Sequence, residues 1–314
     1  MTTKVDVKLE FDQRADAAAA LVLRQLLDAI EANLDGAIEG SDPERLHDFR
    51  VAIRRSRSVQ RQLRGVFPPD KLAHFRHEMR WLQRATGDAR DLDVYVHGFG
   101  PYRAMVPRPM RPDLDPLPST LGERLMGARR QLVIVLRSKR ATTLLRDWSL
   151  FVGELADEPL DARPQAERPI GQLAGERIHK VYRRMVKMGR AVDRSSPPDA
   201  YHELRKKGKE LRYLLELFGA PLYPGGVVKP MIKSLKALQD VLGRHQDREV
   251  QVAMLRSLPE QVAGRPGGAA AVLAMGVLVE RLMEDEHAAR KEFAERFELF
   301  TSSSQRKLVG EIFS

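Results

Sequence analysis

LHDFRVAIRRSRS, residues 46–58, and YHELRKKGKELRYLLELF, residues 201–218, decide the fold. In the first, His47 is followed by Arg50, Arg54 and Arg57; in the second, His202 is followed by Arg205, Lys209 and Arg212. Both series run at i, i+3, i+7 and i+10, positions that share one face of an α-helix. Arg61 and Arg64 prolong the first stripe to about 25 Å at 1.5 Å per residue. Leu46, Phe49, Ile53 and Leu63 occupy an adjoining arc, as Leu204, Leu211, Leu215 and Phe218 do in the second helix. Each basic stripe therefore flanks a core-facing side instead of lying opposite it.

Working outward, the repeat continues. Gln83, Gly87, Asp91 and Val94 recur as Gln239, Gly243, Asp247 and Val250. Arg80 and Lys236 sit seven residues before their glycine, and His77 and Lys233 ten before it. Two multi-position patterns in the same order imply two similar helical units. Between the motifs, helical periodicity dominates and strand alternation is almost absent. Helices are expected over residues 15–38, 42–66, 70–86, 91–98, 119–136 and 140–156. After punctuation they are expected over 170–192, 199–218, 228–242, 247–258 and 269–300, then a short tail. Residues 101–118 carry six prolines and read as an irregular loop. Gly87 and Gly243 read as helix stops. The expected division is a first bundle over 1–156, a linker over 157–169 and a second bundle over 170–314.

The chain has 314 residues, 53 Lys+Arg against 43 Asp+Glu, and no cysteine. Net charge is +10, so an anionic partner is expected. At 43% hydrophobic and 31% charged, the chain is neither a disordered polycation nor a membrane protein. Without cysteine, a disulfide scaffold, a thiolate zinc site and a cysteine nucleophile are excluded, and the composition fits a reducing cytosol. Aromatic residues are only 6%, which weighs against a stacking platform for nucleobases. The first ten residues lack the apolar run of a secretory signal. No apolar run reaches the roughly 18–20 residues needed to span a bilayer.

The next helix of each half adds Arg76, Arg80 and Arg84, or Lys229, Lys233 and Lys236. Like charges so spaced repel by a few tenths of a kcal/mol per pair, and an anion would relieve them. Arginine grips phosphate oxygens through paired N–H groups, while lysine acts as a mobile point charge. Stripes mixing both suit a regular series of phosphates. His47 and His202 are either phosphate-binding cations or neutral imidazoles that position an arginine. His74 and His77 have metal-ligand spacing, but the flanking Arg76 and Arg80 oppose a dication, so no metal is expected. Asp91, Asp93 and Asp247 read as helix caps or partners that orient cations. No phosphate-binding glycine loop is present.

These two segments, with LQRATGDARDLDVY at 82–95 and LKALQDVLGRHQDREV at 235–250, resemble the conserved histidine α-helical domain, CHAD. The resemblance implies an all-α fold of two antiparallel helical bundles related by an internal pseudo-two-fold repeat. It implies binding of inorganic polyphosphate in a basic groove or pore, and association with polyphosphate granules in the cytoplasm. The binding set it implies is His47, Arg50, Arg54, Arg55, Arg57, Arg76, His77, Arg80 and Arg90 in the first half. In the second half it is His202, Arg205, Lys206, Lys209, Arg212, Lys233 and Lys236. Some members append a triphosphatase domain that folds as a β tunnel; 314 residues leave no room for one, so no enzyme activity and no cofactor are expected. Granule proteins are possible further partners. Two alternatives remain: a nucleic-acid-binding protein, and a phosphate-chemistry enzyme using His47 or His202.

Overall fold

The computed structural model describes residues 6–313, so Met1–Val5 of the N-terminal reading lie outside the described residues. It is all-α, with no strand among the described residues. The first half holds α1 (Ala15–Glu39), α2 (Pro43–Gln62), α3 (Pro69–Ala85), α4 (Gly87–His97), α5 (Phe99–Met105), α6 (Pro116–Leu136) and α7 (Lys139–Glu154). The second holds α8 (Ile170–Arg190), α9 (Pro198–Leu214), α10 (Ala220–Leu222), α11 (Gly225–Arg256), α12 (Pro259–Ala263), α13 (Gly268–Phe300) and α14 (Ser303–Phe313).

Local chemistry sets the helix ends that orient the basic stripes. Gly40 takes a left-handed φ of 73° and returns its N–H to the Gly36 carbonyl, closing α1. Asp42 then caps α2 by accepting the Glu44 N–H at 2.9 Å, and Pro43 occupies the first helical position. Together these turn α1 and α2 into a tight helical hairpin.

Gly243 departs from its expected role. It stops nothing, and α11 runs straight through it. An interior glycine costs a helix only about 1 kcal/mol, which the packing of so long a helix absorbs. Gly87 likewise opens α4 instead of closing α3; the break falls at Thr86. The proline-rich stretch is more ordered than its composition suggests. It forms α5 and two short 3₁₀ turns, and Pro116 then starts α6. The expected tail is the helix α14. Near the end of the second basic helix, residues Leu215–Gly219 widen into a π turn. Pro221 lacks the N–H that would bond the Leu217 carbonyl, which favours that widening.

The two halves share their cores. One buried cluster joins Leu23, Leu26, Phe49 and Trp148 to Ile178, Met185, Leu211 and Leu235. A second joins Tyr95, Phe99, Leu117 and Leu121 to Leu255, Leu258, Leu278 and Leu282. Each fully buried leucine or phenylalanine contributes about 1.5–3 kcal/mol, so these contacts hold the two basic helices at a fixed separation. The connecting segment is also packed. The Arg163 guanidinium is fully buried, 2.8 Å from the equally buried Asp16 carboxylate, and donates to the Val66 carbonyl at 2.9 Å.

Candidate anion-binding groove

The basic faces of α2 and α9 look onto a common groove of about 820 Å³. Its walls carry His47, Arg50, Arg54 and Arg90 from the first half, and His202, Arg205, Lys209 and Arg212 from the second. Arg244 and Arg248 complete a wall of eight arginine and lysine side chains against three aspartates, Asp91, Asp240 and Asp247.

Arg50 is anchored from below. Its Nη1 donates to the Gln83 carbonyl and to Thr86 Oγ1, both at 2.7 Å. Burial pushes its pKa down to about 10, which still leaves it charged at neutral pH. A Cβ on Gly87 would lie 3.9 Å from this guanidinium, and one on Gly243 would lie 3.6 Å from that of Arg205. In both halves the arginine lies at ordinary contact distance from the glycine, so the spacing would admit a Cβ there.

Arg50, Arg54 and Lys209 are the groove cations without an ion pair among the described residues, and of these Arg50 is held by the neutral Gln83 carbonyl and Thr86 hydroxyl. Arg54 Nε is buried without any hydrogen-bond partner. Burial, then the positive charges of Arg205, Arg54 and Arg212, push the Lys209 ammonium down to about 7. Lys209 thus feels Arg54 from the other half directly. At the same wall, Gln239 buries both side-chain amide atoms without a partner. A buried polar group left unpaired costs about 1–3 kcal/mol, so these atoms mark a place where a ligand or water is wanted.

The other groove cations are partly answered. Arg205 lies 3.6 Å from Asp247, Arg212 lies 3.6 Å from Glu216, and Arg90 lies 3.3 Å from Glu44 while donating to the Pro43 carbonyl. Asp91 and Asp247 open onto the groove and cap no helix, because α4 begins earlier and α11 is continuous. Crowding by the surrounding protein pushes both carboxyls up, against the pull of Arg50 and Arg205 respectively. Burial, then Arg90, pushes His47 down, so its imidazole is largely neutral at pH 7 without a ligand. His202 meets the Gln246 side-chain oxygen through Nδ1.

The remaining sequence-derived candidates lie off this wall. Arg55 reaches across to Glu216 at 2.8 Å, and Lys236 lies 4.0 Å from the same carboxylate. Arg57 is half-buried; burial and the charges of Arg80, Arg61, Arg84 and Arg76 push it down, so it forms a separate basic cluster with α3. His77 is exposed beside Glu78, Lys206 pairs with Glu203 at 2.5 Å, and Lys233 is exposed.

Sequence reasoning missed Arg244, Arg248 and the groove tyrosines Tyr95, Tyr102 and Tyr213. Arg244 and Arg248 follow Gly243 at one and five residues, a signal lost once the glycine is taken as a helix stop. Both are met by α13: Arg244 by Glu292 and Arg248 by Asp285, each at 2.6 Å. Arg55 and Arg212 each lie 5.7 Å from the Tyr213 ring centre, so that ring is already engaged. Among the described residues no His, Asp and Glu group has metal-binding geometry, and no helix is long and apolar enough to cross a membrane.

Comparison with known proteins matches this architecture. The crystal structure of the CHAD domain from the plant Ricinus communis superposes with a TM-score of 0.78, covering 95% of this chain and 96% of that one at 24% identity. PptA from Streptomyces chartreusis superposes with a TM-score of 0.69 at 16% identity, covering 91% and 99%. Two uncharacterized Mycobacterium tuberculosis proteins, MT2285 and Rv2226, are each 27% identical over 226 residues. That match takes in 69% of this chain but only 40% of either relative's length. The sequence profile of the CHAD domain matches residues 21–256, which contain both basic helices and both glycine–aspartate segments, and the chain belongs to the CHAD domain family.

Proposed function

We propose that this chain binds linear inorganic polyphosphate in the groove between α2 and α9 without transforming it, and through that binding resides at cytoplasmic polyphosphate granules. The observation that carries the reading is the convergence of Arg54 and Lys209, one from each half, with neither joined in an ion pair on the groove wall. A fold that buries like charges together is relieved when a polyanion enters. Arginines suit the bidentate grip of phosphate oxygens. Gln239 would donate through its unpaired amide to the same chain. The aromatic groups do not suit bases: Tyr95 and Tyr213 are buried, and Tyr213 is flanked by guanidinium groups.

Titration calorimetry with long-chain polyphosphate tests this. Arg54→Ala with Lys209→Ala is expected to weaken binding by at least about tenfold, or roughly 1.4 kcal/mol, with helicity unchanged by circular dichroism. Affinity should fall with salt by roughly 0.7–0.9 log units per log unit of salt for each phosphate neutralised. Unchanged binding by the double variant overturns the site. Displacement by duplex DNA at equal phosphate concentration transfers the groove to nucleic acid, and chain shortening over time transfers it to an enzyme.

A further inference from the structure

A second basic surface lies on α8, away from the groove. Lys180, Arg183, Arg184, Lys187 and Arg190 are all exposed and fall at i, i+3, i+4, i+7 and i+10. They form one stripe about 15 Å long. Met185, from the opposite side of α8, packs toward α9 at Gly208, so the stripe faces outward. None of the five lines the groove or joins an ion pair among the described residues. Glu176, the carboxylate on this face, is held by Arg168 at 2.5 Å.

Beneath the stripe is a niche of about 570 Å³ whose walls carry His179, Arg183, Lys187, Arg190 and, from α14, Arg306, alongside the apolar Val186, Ala191 and Val309. Tyr182 lies on its floor. The residue is 3% exposed, and its hydroxyl is buried with no hydrogen-bond partner. Burial pushes that hydroxyl up to about 12, so it remains a donor at any physiological pH. A buried, unpartnered donor beside Arg190 and Arg306 is a group that a phosphate oxygen would satisfy.

The chemistry of the face selects among polyanions. No large hydrophobic side chain of α8 or α14 is exposed, so nothing there would insert into a bilayer. Tyr182 offers no free face to a base, because its ring is buried against Phe300 at 5.5 Å. Repeating cations over a donor suit a thin, regularly charged chain.

We propose that the α8–α14 face is a second binding site for linear phosphate chains, so that one molecule holds two chains and can bridge them. The class of ligand rests on the groove reading; the residues do not. The test is calorimetric stoichiometry with a short polyphosphate of defined length, together with turbidity on adding long chains. The unsubstituted protein should bind two short chains and turn long-chain solutions turbid by cross-linking. R183E/R184E/K187E should bind one and give no turbidity, and R54E/K209E should also bind one. Tyr182→Phe, which keeps the ring, should weaken the remaining site of R54E/K209E by roughly tenfold. Two chains still bound by R183E/R184E/K187E overturns this proposal and leaves the groove intact. Two chains still bound by R54E/K209E overturns the groove and leaves this face standing. Displacement of the short chain from R54E/K209E by anionic vesicles or single-stranded DNA, at equal phosphate, overturns the assigned ligand.

Discussion

Lys209 concentrates the chemistry of the groove in one ammonium. Its charge is opposed by burial and by three neighbouring cations, so its pKa falls to about 7 against 10.5 for a free lysine. An entering phosphate chain reverses that penalty and raises the pKa. Between pH 7 and the raised value, binding must therefore take up a proton, and affinity must fall as pH rises above 7. Calorimetry at pH 8 in buffers of different ionisation enthalpy should register this uptake, and Lys209→Arg should abolish it. The folding linkage has its own sign. The unfolded chain holds more protons than the native one between pH 7 and 10.5, so native stability rises with pH across that window. Lys209→Met should flatten the rise and stabilise the protein at pH 6, as read by urea denaturation. The stripe containing Lys209 is legible from spacing alone. Its depressed pKa is not, because the burial that chiefly lowers it comes from tertiary packing, and Arg54 adds to it from a helix roughly 150 residues away in sequence.

At the scale of elements, the glycines separate what a motif says from what packing demands. Gly243 lies inside α11 with ordinary contact distance to spare, 3.6 Å to Arg205. Gly243→Ala should therefore stabilise the protein by about 0.5–1 kcal/mol through helix propensity. Gly189 is similarly helical, but a Cβ there would meet the Phe297 ring at 2.1 Å. That ring is 7% exposed and stacked on Phe293, so Gly189→Ala should cost about 1–3 kcal/mol by overpacking. Equilibrium denaturation of both variants checks the contrast in sign. The periodic helices of both halves are readable because amphipathic spacing is local. The run of α11 through Gly243 and the π turn at Leu215–Gly219 are not, because tertiary packing outweighs a cost of about 1 kcal/mol. The π turn carries Glu216, the carboxylate met by Arg55, Arg212 and Lys236. That placement removes Arg55 from the free charge of the groove.

For the whole molecule, the decisive contact is the buried pair of Asp16 and Arg163, which ties the connecting segment beneath α1. Asp16→Ala would leave a guanidinium buried without its charge partner, and should cost about 3–5 kcal/mol. A fall in the urea midpoint measures it. Because both buried clusters draw on both halves, the groove cations should lose their alignment in the same unfolding transition. Sequence by itself determined the helical class, the two basic stripes, the paired glycines and the excess of positive charge. Those depend on 3.6-residue periodicity and composition, which act over a few residues. Only the tertiary structure decided which cations stay free. Arg55 finds its acid 161 residues away, and Arg244 and Arg248 find theirs on α13, whereas Arg54 and Lys209 repel each other from opposite halves and join no ion pair on the groove wall. Charge neutralisation falls off within several ångströms, so it is settled by how the helices pack and not by their order along the chain.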